Sequence, residues 1–106
     1  MTSEQIINKE IAGTILQQLG GRRFLGMTGS KNLTSGERSL SMKLIPNKSH
    51  AKYLKVRLNG LDLYDMIFFS VGRHDLEPIV KHEANNLYAD MIVMEFEKIT
   101  GLYTQL

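Results

Sequence analysis

Lys52-Tyr53-Leu54-Lys55-Val56-Arg57-Leu58, then Asn59-Gly60, then Leu63-Tyr64-Asp65-Met66-Ile67-Phe68-Phe69-Ser70-Val71 is the stretch that decides the fold. The first run alternates with period two. Leu54, Val56 and Leu58 face one side, while Tyr53, Lys55 and Arg57 face the other, as on a strand with one buried face. Asn59-Gly60 predicts a turn, because both residues tolerate positive φ. Leu63–Val71 predicts a second strand, with Leu63, Ile67, Phe69 and Val71 on one face and Tyr64, Met66 and Phe68 on the other. Both faces are apolar, so both are expected to be covered, by helices, a loop or a second subunit. Strands joined this closely must run antiparallel.

Working outward, Ser39–Ile45 alternates in the same way until Pro46-Asn47-Lys48 breaks it. Arg23-Phe24-Leu25-Gly26-Met27 reads as a first strand, and Thr28–Glu37 as a polar loop. On the other side, Gly72-Arg73-His74-Asp75 reads as a turn. Ile79-Val80-Lys81-His82 reads as a short fifth strand limited by Pro78, and Asn85-Asn86 as a turn. The ends are helical. Ile7, Ile11, Ile15 and Leu19 recur every four residues, with Ile6, Ala12 and Leu16 beside them. This predicts a helix over 3–19, capped by Ser3 and ended by Gly20-Gly21. Tyr88, Ile92, Phe96, Ile99 and Tyr103, widened by Met91 and Met94, predict a core-facing helix over about 88–100, ended by Gly101. The sequence thus predicts an α+β fold: a mainly antiparallel meander of four or five strands with an N-terminal and a C-terminal helix. At 106 residues it is read as one domain, 1–106.

Hydrophobic residues make up 42% and charged residues 23%, which argues against disorder. The absence of cysteine excludes thiol catalysis, Cys-type zinc sites and redox chemistry. The N-terminus lacks the pattern of a secretory signal, and Met66–Phe69 is too short to span a bilayer, so a cytoplasmic protein without membrane association is expected. The net charge of +2 hides a strong asymmetry. Residues 22–57 carry nine basic side chains against Glu37 alone, whereas 58–106 carry three basic and eight acidic ones. A basic block of this kind suits an anionic partner. The corresponding expectation is DNA or RNA, bound without sequence specificity. Arg22, Arg23, Lys31, Lys43, Lys52, Lys55 and Arg57 would contact phosphates, and Tyr53 would stack on a base. The alternative is that these are solvated strand positions, or that the basic half packs against the acidic half, leaving a protein-binding or self-associating module such as a homodimer.

Other motifs are weaker. Gly26-Met27-Thr28-Gly29-Ser30-Lys31 has glycines too close together for a nucleotide phosphate loop. It reads either as an anion-binding nest or as a glycine-rich connection. His74-Asp75 and His82-Glu83 are two His–acid pairs without an evident third metal ligand. Asp62 and Asp65 suit turn and strand-start roles. No nucleophile elbow is present. A non-enzymatic chain with no cofactor, metal or small-molecule substrate is therefore expected.

Phe24-Leu25-Gly26-Met27-Thr28-Gly29-Ser30-Lys31-Asn32, Ser39-Leu40-Ser41-Met42, Tyr88-Ala89-Asp90 and the tail Thr100-Gly101-Leu102-Tyr103-Thr104-Gln105-Leu106 together resemble a group of small uncharacterised proteins of phages and bacterial mobile elements. Ser30 stands where that group favours alanine, and Met42 where it favours an aromatic residue. The resemblance covers roughly residues 20–106. It carries over no catalytic residue, and it implies a bacterial or phage setting and an accessory role. The tail's Leu102, Tyr103 and Leu106 extend the apolar face past Gly101 and are expected to dock.

Overall fold

The computed structural model describes residues 2–74 and 76–104. The fold is α+β: a five-stranded antiparallel meander in which each strand pairs with the next in sequence, with a helical layer on one face. Helices α1 (Ser3–Leu19) and α2 (Gly21–Thr28) come first. Strands β1 (Lys31–Gly36), β2 (Ser39–Lys43), β3 (Tyr53–Leu58), β4 (Tyr64–Val71) and β5 (Pro78–Leu87) follow. A 3-10 turn at Ala89–Met91 then leads into α3 (Ile92–Thr100).

The core forms between the sheet and the helices. Leu40 and Met42 from β2, Leu54 and Val56 from β3, and Tyr64, Met66 and Phe68 from β4 lie on one sheet face. They join Ala12, Ile15 and Leu19 of α1, Phe24 of α2, and Ile92 and Phe96 of α3 in one buried cluster. Phe24 meets Phe96 edge-on with ring centroids 4.9 Å apart, and Phe96 in turn packs at 6.4 Å from Phe68. Each buried ring contributes about 1.5–3 kcal/mol through area removed from water.

Several local expectations are corrected. Residues 23–27 are helix, not strand, because Phe24 and Thr28, four apart, share the buried side of α2. The stretch taken as a polar loop contains β1, an exposed edge strand with no apolar alternation to announce it. Thr2, not Ser3, caps α1: its hydroxyl accepts from Gln5 N–H while Gln5 Oε1 accepts from Thr2 N–H. β5 runs ten residues and starts at Pro78, which the outer edge of a sheet tolerates. Asn85-Asn86 lies within it, where the ladder bulges and Asn86 takes φ 58°. On α3 the core stripe narrows to Ile92, Phe96 and Thr100, with Ile99 packed beside them. Met94 is 71% exposed, and Tyr88 and Met91 are also exposed.

Beyond Gly101 the docked residues are Leu102 and Thr104, whose N–H and hydroxyl both donate to Glu97 Oε2. Tyr103 is 74% exposed, and Leu106 lies outside the described residues. Most consequentially, no described element covers the second face of the sheet. The molecule is only 24 Å thick along its shortest axis, as one sheet and one helical layer require.

Candidate nucleic-acid interface on the open sheet face

Antiparallel pairing sets residues directly opposite one another on the same face, so the register defines rows across the uncovered side. One row runs Lys31, Lys43, Tyr53, Phe69, Val80 through all five strands. The next runs Thr34, Ser41, Lys55, Ile67, Glu83. A third runs Gly36, Ser39, Arg57, Asp65. Tyr53 and Phe69 stack, with centroids 5.5 Å apart and planes inclined by 24°. Both are half-buried by their strand neighbours, so part of each remains open to solvent.

The charges differ in what holds them. Arg57 Nη2 donates to Asp65 Oδ2 at 3.2 Å. Asp65 also accepts at Oδ1 from Asn59 Nδ2 and from Asn86 N–H, both at 3.0 Å. Burial opposes the charge on Asp65, but the bonds from Asn86, Asn59 and Arg57 outweigh it and hold its carboxyl below the usual value. Arg57 is therefore committed to a structural network. Lys31, Lys43 and Lys55 have no carboxylate partner among the described residues. Lys31 and Lys43 stand directly opposite one another, an arrangement that destabilises a strand pair unless an anion lies between the charges.

The eight sequence candidates therefore separate. Lys31, Lys43, Tyr53, Lys55 and Arg57 come together on the open face. Lys52 sits just before β3, where its N–H donates to Phe69 O and its carbonyl accepts from Leu44 N–H. Its side chain lines a cleft at the end of the sheet. Arg22 and Arg23 do not join them. They project from α2 in the helical layer, beside Gln18, Val93 and Thr104. The residue missed by sequence reasoning is Phe69, which completes the aromatic pair.

In the Gly26–Lys31 segment the N–H groups of Gly29 and Ser30 are taken internally, donating to Leu25 O and Thr28 Oγ1. Gly29 is the left-handed cap of α2 at φ 67°. The Ser30 hydroxyl pairs with that of Thr28, which donates to Phe24 O. Among the described residues no three His, Asp or Glu side chains are placed to hold a metal, and no helix is long and apolar enough to cross a membrane. The chain matches no family model, no curated protein and no solved structure in the three comparisons made.

Proposed function

We propose that the chain binds single-stranded nucleic acid, without sequence specificity, across the open face of its sheet. The observation that carries this reading is the row Lys31–Lys43–Tyr53–Phe69: two facing, unpaired ammonium groups continued by a stacked aromatic pair. Lysines hold phosphates, and exposed ring surface stacks on bases of any identity. A flat sheet face suits splayed bases better than a duplex, whose bases are already stacked inside. An accessory role, the one implied by the resemblance to small phage and mobile-element proteins, fits this reading.

Anisotropy titrations with single-stranded DNA, duplex DNA and RNA at several salt concentrations test the proposal. Single strands should bind, and affinity should fall steeply with salt. No binding at low salt would remove it. A second reading, self-association, draws on exposed Val71, Leu76, Ile79 and Val80 around the β4–β5 connection. Under that reading the protein would size as a dimer and ignore oligonucleotides.

A further inference from the structure

The β2–β3 connection, residues 44–52, encloses a cleft of about 390 Å³. Lys43, Lys52 and His50 line it above an apolar floor that includes Leu44 and Ala51, with Ile45 and Pro46 at the rim; no carboxylate lines it. None of the three basic side chains has a hydrogen-bond or ion-pair partner among the described residues. The volume falls within the range of small-ligand pockets.

The connection is held by its own hydrogen bonds. Asn47 Nδ2 donates to Ile45 O and Ala51 O, while its Oδ1 accepts from the N–H and hydroxyl of Ser49. Lys48 N–H donates to Thr100 O, tying the loop to the end of α3. His50 is held at φ 63°, a conformation that costs a non-glycine residue free energy. Lys43 belongs both to this cleft and to the Lys31–Lys43–Tyr53–Phe69 row, so the cleft borders that row beside Lys43 and Tyr53.

We infer that this cleft is the seat of a terminal phosphate: it takes the phosphomonoester and last nucleoside of a strand lying across Tyr53 and Phe69. This rests on the proposed single-strand reading. An internal phosphodiester carries only one charge. A phosphomonoester carries about −1.5 to −2 charges and ends the chain. Two ammonium groups and an imidazole with no competing acid match that charge, and the floor accepts the apolar face of a base.

The test is calorimetric titration of the intact chain with single strands of about six nucleotides, either 5′-phosphorylated, 3′-phosphorylated or unphosphorylated, and with thymidine monophosphate. One of the terminal phosphates should tighten binding about tenfold, and the arms identify which end is read. The variant Lys52→Ala with His50→Gly should lose that increment yet bind the unphosphorylated strand as wild type does. Glycine at 50 keeps the left-handed backbone, so the variant should fold, as thermal melting would verify. Equal affinity for all three strands, or an increment that survives in the variant, would overturn the cleft and leave the sheet reading intact. Binding of the mononucleotide without any strand binding would overturn both the sheet reading and the strand-end role of the cleft, leaving only a mononucleotide site. Binding of neither removes both.

Discussion

Asp65 and Asn59 show how much of this fold depends on single polar side chains. Asn59 donates to Asp65 and to Asn86 Oδ1, and accepts from Leu61 N–H and Leu63 N–H, so one amide anchors the β3–β4 loop to β5. Asp65 carries a depressed pKa. Its stabilisation is therefore present well above the ordinary value of 3.8 and is lost as acid protonates the folded carboxyl. Asp65→Asn should lower stability at neutral pH by about 2 kcal/mol, with the gap from wild type closing in acid. Urea unfolding at both pH values checks this, and a gap independent of pH would contradict it. Two glycines should respond differently to alanine. At Gly29, with φ 67°, a new Cβ would lie 2.9 Å from Ile45 Cγ2, whereas at Gly60 it meets nothing within 4 Å and φ is not positive. Gly29→Ala should cost about 1 kcal/mol or more, and Gly60→Ala almost nothing, in thermal melts. The Asn59-Gly60 signal was legible as a turn, but its geometry was not. A two-residue turn would pair Leu58 with Leu61 and put Tyr53 beside Met66. The actual loop pairs Leu58 with Tyr64 and puts Tyr53 beside Phe69. A slip of that kind exchanges the faces of a strand, which is why the aromatic pair was invisible in the sequence.

Among the elements, those with a clear apolar period were legible and those without one were not. β2, β3 and β4 follow their apolar periodicity, and so does α1 from Ile11 onward, although Ile6 and Ile7, expected on its core side, are exposed. α2 and β1 were misread because neither has a periodic pattern long enough to separate helix from strand. α2 buries Phe24 and Thr28 over eight residues, and β1 is exposed along almost its whole length. The expected strand count came out right only because a strand was assigned to α2 and none to β1. If α2 is docked as described, Phe24→Ala should destabilise the protein by about 3–5 kcal/mol, read by denaturant midpoint. The exposed sides of the same helix carry Arg22 and Arg23 away from the open face. Arg22→Ala with Arg23→Ala should leave oligonucleotide affinity nearly unchanged, and a tenfold loss would contradict the assignment of the interface to the sheet.

At the scale of the whole molecule, the opposing charge blocks are placed apart. The acidic residues Asp90, Glu95 and Glu97 lie on the 3-10 turn and α3, in the helical layer. Lys31, Lys43 and Lys55 lie on the open side of β1, β2 and β3. The separation is incomplete: Arg22 and Arg23 lie on α2 in the helical layer, Asp62 pairs with Arg38, Asp65 neutralises Arg57, and Glu83 stands at the β5 end of the Lys55 row. The basic block was legible as composition. Its sharing of a face with Tyr53 followed from strand alternation, but the openness of that face did not, because Ile67 and Phe69 read as core. They are half-buried by their cross-strand neighbours alone.

The central claim is that this face holds a single strand through three unpaired lysines and two rings. The salt dependence of single-strand affinity, measured for wild type, Lys43→Glu, Lys55→Glu and Tyr53→Ala, tests it most directly. The account predicts a slope of log affinity against log salt of about −2 for wild type. The slope should be shallower in both lysine variants. In Tyr53→Ala it should be unchanged, with affinity lower by about tenfold. Wild-type affinity that is insensitive to salt, or that survives all three substitutions, would contradict it.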